Sequence, residues 1–171
     1  MKFTELVLTF GIVAFLGVSS AGFLGNLPEM RLKSAAFKVY SMCVEARNIA
    51  LRNDCYCGVI IDKTPDGTRF LIVRDKNFNG VHYREYLSGK DEIIDEGFVL
   101  EKNYPGVKLK KVGFSGRRVI SFSPYLTSSN GSIYLETENP DIGIFRIKVY
   151  GKSFVLKPVK IFPDGSEVNY D

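Results

Sequence analysis

From Leu6 to Pro28 no side chain carries a charge, and apolar residues fill most positions. A run of about 20 such residues reaches roughly 30 Å as helix, enough to cross the hydrocarbon core of a bilayer. From Glu29 the pattern changes. Apolar or small residues recur at Leu32, Ala35, Ala36, Val39, Met42, Cys43, Ala46, Ile49 and Ala50. This three-and-four spacing predicts an amphipathic helix of about 23 residues, with one face that must be covered. Arg31, Lys33, Lys38, Glu45, Arg47 and Arg52 mostly take the other positions, and Asn53-Asp54 ends the pattern. Glycines at 17, 22 and 25, then Asn26 and Pro28, predict a break or a stretch that can melt between Gly22 and Pro28.

The remaining two-thirds reads as short β segments. CYCGVIID runs to a turn at Thr64-Pro65-Asp66-Gly67 and RFLIVRD returns, which predicts a hairpin. Further strands are expected at Val81 to Leu87, Gly97 to Leu100, Val107 to Val112, Arg118 to Phe122, Gly131 to Thr137, Gly143 to Tyr150 and Ser153 to Ile161, with Gly and Pro at their boundaries. Segments at this spacing suggest two antiparallel sheets with the helix laid against them, an α+β fold. The organisation is an apolar segment (1–28), an amphipathic helix (29–54) and a β head (55–171). Residues 29–171 are expected to fold as one domain.

Composition narrows the classes. A chain of 171 residues that is 45% apolar can bury one sizeable core and is too apolar to be disordered. Three cysteines rule out a disulfide-dense scaffold, and the single His82 argues against His-rich metal sites and most catalytic triads. The apolar run itself has two readings. One is a membrane anchor; the other is a secretory signal peptide cleaved after Ser19-Ser20-Ala21. Glu5 favours the first, since a carboxylate at the edge of an apolar run is costly in lipid and tends to mark a function. An N-terminal amine and a carboxylate four residues along, both at membrane depth, are neutralised when one subunit's amine meets a neighbour's Glu5.

The segment RLKSAAFKVYSMCVEARNIALRNDCYCGVII resembles the helix-to-first-strand signature of the type IV pilin superfamily. Within that superfamily the chain looks like the H-type minor pseudopilins of type II secretion and their type IV pilus relatives. RFLIVRDKNFNG resembles the family's strand followed by an Asp/Asn-Gly turn, GVKLKKVGFSGRRVISFSP its middle strands, and IGIFRIKVYGKSFVLKP its closing hairpin. The resemblance implies a filament subunit, neither an enzyme nor a cofactor protein. It would sit in the inner membrane by one helix and then join copies of itself or other pilins, through an inner-membrane assembly machinery, in a periplasmic or extracellular filament. It also implies assembly roles for Met1 as first mature residue, Glu5 as fifth, and Pro28 as the helix-bending proline. The family begins Phe-Thr-Leu-Ile-Glu where this chain reads Met-Lys-Phe-Thr-Glu.

Other constellations carry alternatives. Asp75, Asn77 and Asn79, followed by Gly80, have the D-x-N-x-N-G spacing that opens a calcium loop, with Tyr86 at position 12 and Glu85 one place early. Asn-Gly is equally a plain hairpin turn. Cys55 and Cys57, two apart on an expected strand, share a face. With Cys43 on the helix they leave open free thiols or one bridge, and a structural zinc lacks its four ligands. Lys108, Lys110, Lys111, Arg117 and Arg118 make a basic cluster in a region (101–171) with 11 basic and 7 acidic residues. It reads as a solvated strand face or as a contact for nucleic acid. A second reading therefore makes the head a binding module for DNA or a partner. His82 reads as a surface histidine beside a turn.

Overall fold

A computed structural model of the chain describes the backbone of residues 3–114, 118–151 and 155–170, and side chains from residue 27 onward within those ranges. The first element is a helix, α1 (Phe3–Arg52), 50 residues long. It runs unbroken through Pro28, so the expected break between Gly22 and Pro28 is not there. A proline inside a helix forfeits one backbone hydrogen bond and crowds the carbonyl four residues earlier, which costs about 3 kcal/mol and bends a helix more readily than it ends one. The helix closes where expected. Asn53 N–H donates to the Ile49 carbonyl, and Asp54 takes a left-handed φ of 48°.

Among the described residues nine strands follow in two antiparallel sheets. The first sheet has the order β3 (Glu92–Val99), β2 (Gly67–Arg74), β1 (Cys57–Thr64), β5 (Val119–Phe122). The second runs β4 (Val107–Val112), β6 (Gly131–Thr137), β7 (Ile144–Tyr150), β8 (Val155–Ile161), β9 (Glu167–Asn169). The β1–β2 hairpin pairs Thr64 with Gly67 across a two-residue turn, as expected. Among the described residues two short α-helices interrupt the strands, α2 (Tyr83–Leu87) and α3 (Leu100–Asn103), with a 3-10 turn at Pro140–Ile142. The strand expected over Val81 to Leu87 is therefore corrected to a helix. Tyr83 and Tyr86, three residues apart, lie on one helical face, and both hydroxyls donate to Asp62 of β1.

The C-terminal half of α1 touches strands of both sheets. Leu32, Ala35, Ala36, Val39, Met42, Cys43, Ala46 and Ala50 are buried there. They meet Cys57, Val59, Ile61, Phe70, Ile72 and Ile120 of the first sheet, and Ile133, Leu135, Phe145, Ile147 and Val149 of the second. The two sheets differ in how they use the pleat. In β7, Phe145, Ile147 and Val149 point inward between half-buried neighbours, the alternation of a sheet wet on one side. The first sheet is covered on both faces, so VII and FLIV run apolar without alternation. Its far side carries a second small core of Ile60, Leu71, Val73, Val81 and Val119, capped by Tyr83 and Tyr86 of α2.

Candidate functional site

Burial of the described helix side chains begins at Leu32, with Met30 half exposed. A 50-residue helix is about 75 Å long, whereas a head of this size has a diameter of roughly 35 Å. About half of α1 must therefore extend past the head. Where the helix enters it, Glu29 pairs with Lys160 of β8, an ammonium whose side chain is only 6% exposed. Lys160 also lies 4.5 Å from the centre of the Phe162 ring. Four residues on from Glu29, Lys33 sits over Tyr170, whose ring stacks on Phe145 and meets Phe37 edge-on at 5.8 Å. The C-terminus thus fastens the helix at the level of Glu29 to Phe37. Of the residues assigned to assembly, Pro28 is half-buried inside the helix, Met1 lies outside the described residues, and so does the side chain of Glu5. Among the described residues no helix is long and apolar enough to cross a membrane. The side chains of residues 6–26, which make up most of the apolar run, lie outside that set.

The three cysteines are free thiols, and all are buried. Cys57 opens β1, but Cys55 precedes the strand, so the two do not share a strand face as expected. The helix ends at Arg52 and the chain turns through Asp54 before β1 begins. Burial pushes the Cys43 thiol up to about 12, and burial together with the nearby Cys55 pushes Cys57 up to about 12. At pH 8 the thiolate fraction is then on the order of one in 10⁴. Cys43 and Cys57 are expected to resist a thiol reagent such as DTNB under native conditions and to react at once in denaturant; labelling of both within minutes in the folded protein would contradict this burial.

Part of the basic cluster stays together: Lys110, Lys111 and Arg118 line one cavity that Lys63 also borders. Lys108 is ion-paired to Glu138 at 2.7 Å and Lys110 to Glu136 at 2.6 Å, both partners belonging to β6 or the residue just after it. The antiparallel register sets Lys108 against Glu136, which puts these acids within reach of the two lysines. Lys111 is exposed, Arg118 lies 5.9 Å over the Tyr83 ring near α2, and Arg117 lies outside the described residues. Two of the five cations are thus neutralised locally.

The loop after β2 gathers more. Asp75, 3% exposed, accepts from Asn77 N–H at 2.8 Å through Oδ1 and from Gly80 N–H at 2.7 Å through Oδ2. Asn77 Oδ1 accepts from Asn79 N–H at 3.3 Å, and Gly80 has φ of 92° with open space where a Cβ would lie. Phe78, at φ 61°, points its ring to solvent. Glu85 comes from α2 and collects the amide nitrogens of Asn77 and Asn79 on Oε1, at 3.3 and 3.0 Å. Those amides hold its carboxyl below the usual range, Asn79 foremost. Its Oε2 is buried without a partner. His82 is exposed beside the loop, its Nε2 3.2 Å from the Asn79 carbonyl.

Asp91, immediately before β3, is a residue the sequence did not single out. It is 6% exposed, and neither carboxylate oxygen has a hydrogen-bond partner of normal geometry, the His82 N–H lying beside it only loosely. Burial raises its pKa, and the charges of Asp75 and Glu85 raise it further; the His82 N–H and imidazole pull the other way. An Asp in SGKDEII looks like any polar turn residue, and only the folded chain brings it against the loop. Among the described residues no three His, Cys, Asp or Glu side chains stand placed to hold a metal ion by themselves.

No family model matches the chain, and no curated protein matches it in sequence. Two solved structures of the minor pseudopilin EpsH from the type 2 secretion system of Vibrio cholerae are similar to it in backbone course. One has a TM-score of 0.49 and 13% identity over 82% of this chain and 96% of that one. The other has a TM-score of 0.48 and 12% identity over 82% of this chain and 94% of that one.

Proposed function

We propose that the chain is a structural subunit of the pilin or pseudopilin kind, which assembles with copies of itself or other pilins through the N-terminal half of α1. The observation that carries this reading is a single 50-residue helix, about 75 Å long, whose C-terminal part from Leu32 is packed into a much smaller head. The projecting half bears the charge-free run from Leu6 and one acid, Glu5, at its start. An apolar helix of that length is stable either in a bilayer or against other such helices. The subunit waits in the inner membrane by this helix and is then drawn into a filament beyond it, with the head outward. Apolar packing supplies most of the association, and a Glu5 paired with the N-terminal amine of a neighbour sets the axial register. The pilin-like order of sequence segments from Arg31 to Pro158 supports the same reading.

The test is Glu5→Leu in cells that assemble the filament, with Glu5→Asp beside it. Filament recovered by shearing should fall at least tenfold for Glu5→Leu, with the cellular level of the chain unchanged and partial recovery in Glu5→Asp. Assembly of Glu5→Leu at the normal yield would remove the role given to this carboxylate. Intact mass and N-terminal sequencing of the sheared protein complete the test. A chain that keeps Leu6 to Pro28 and has a methylated first amine supports the subunit; one that begins near Gly22 shows signal-peptide cleavage and overturns it.

A further inference from the structure

We infer that the loop from Asp75 to Gly80, with Glu85 and Asp91, binds a calcium ion. The observation that points to a ligand is Asp91. A carboxylate 94% removed from solvent normally meets a cation or several donors, because an uncompensated buried charge is costly. Asp91 meets only the His82 N–H, loosely, while the charges of Asp75 and Glu85 act against its own. The Glu85 Oε2, buried and equally unpartnered, repeats the signal from a different element. The protein's own cations meet the need only in part, the charges of Lys90 and His82 acting on Glu85 and that of His82 on Asp91. Arg74 is paired with Glu92, and His82 is exposed with its Nε2 on the Asn79 carbonyl.

The donors suit a hard cation. Calcium takes six to eight oxygens, from carboxylates, amide carbonyls and backbone carbonyls in flexible geometry. Asp75, Asn77 and Asn79 stand at positions 1, 3 and 5 of a calcium loop, and Gly80 at position 6 makes the sharp turn. The Asp75 Oδ2 bond to Gly80 N–H holds that turn and leaves the carboxylate's remaining lone pairs for an ion. The Asn77 and Asn79 amides already converge on one point beside Glu85, and a half-turn of each amide presents its oxygen there instead of its nitrogen. The bidentate acid of a standard loop, missing at position 12, is replaced by Glu85 from α2 and Asp91 from the start of β3. Carboxylates alone do not make the site; the amide oxygens complete it. Magnesium suits the set less well, since it demands a near-ideal octahedron at short distances.

The experiment is thermal melting of the full chain in detergent after chelator treatment, with calcium chloride, magnesium chloride or chelator added, on the native chain and on Asp91→Asn. At a hundredfold excess over Kd, calcium should raise the native Tm by about 5–10 °C. Magnesium should give a much smaller rise. Asp91→Asn should lose most of the calcium response. In chelator it should melt at or above the native Tm, since the change removes a buried uncompensated charge. That last sign separates a lost ligand from a damaged fold. No rise in Tm at 10 mM calcium overturns the site, as does a full calcium response in Asp91→Asn; an equal response to magnesium overturns the choice of calcium.

Discussion

Replacing Gly97 by Ala should destabilise the head by about 3–5 kcal/mol and lower its Tm by roughly 10 °C. Gly97 has φ of 66°, and a Cβ built on it would stand 1.6 Å from the carbonyl oxygen of Phe70. Nothing flexible can yield there, because the obstacle is the backbone of β2. The position exists because β3 carries an extra residue. Phe70 pairs with Phe98 and Ile72 with Asp95, so Leu71 faces two residues, Glu96 and Gly97. The bulge is held by Gly97 N–H donating to Asp95 Oδ1 at 2.9 Å. It keeps Phe98 stacked on Phe70, ring centres 5.5 Å apart, while the start of β3 pairs with Val73 and Arg74. Gly165→Ala is the control. Its φ is 84° with nothing within 4 Å of a built Cβ, so only the conformational cost of about 1 kcal/mol applies. Thermal or urea melts of the two variants check this. Equal losses would mean that the close approach at Phe70 does not decide the matter.

The sequence made some of this architecture plain and hid the rest for identifiable reasons. The buried face of α1 was legible residue by residue, because Leu32 to Ala50 follow a helical period that only one surface can satisfy. The β1–β2 hairpin was legible from its turn, and β4 and β6 from their ends. Three things were not. The passage of the helix through Pro28 depends on what stabilises each side of it, and local propensity records only the cost. The segment Val81 to Leu87 alternates well enough for a strand, and its helical signal is just the Tyr83–Tyr86 pair. The short β9 is polar and exposed, without any periodicity to find. At the candidate sites the same limit appears. The D-x-N-x-N-G spacing showed half of an oxygen-rich loop, but Asp91 enters from sixteen residues beyond Asp75. The basic cluster looked continuous in one dimension, while cross-strand Glu136 and Glu138 are what meet two of its members.

Residues 55–171 expressed without α1 should fail to fold, whereas residues 29–171 should fold as one unit. The main core has three walls, and the helix is the one both sheets share. Without it Val59, Ile61, Phe70 and Ile72 on one side, and Ile133, Leu135, Phe145 and Ile147 on the other, lose their cover together. The helix itself contributes Leu32, Val39 and Met42 at about 1.5–3 kcal/mol each, four alanines at less, and Cys43. The gross loss is on the order of 10 kcal/mol, as large as the whole stability of a typical domain. Two fastenings go as well, Lys160 on Glu29 and Tyr170 on Phe37, and a lysine 6% exposed would be left without its carboxylate. Amide proton dispersion by NMR separates the outcomes. A collapsed spectrum for 55–171 that sharpens when a peptide of residues 29–54 is added would place the helix inside the domain's own core. A dispersed spectrum for 55–171 alone would make the helix an appendage, and a filament could then pull on it without loading the head. With the helix as core, tension along the projecting half of α1 passes directly into both sheets, first through the contacts at Glu29 and Leu32.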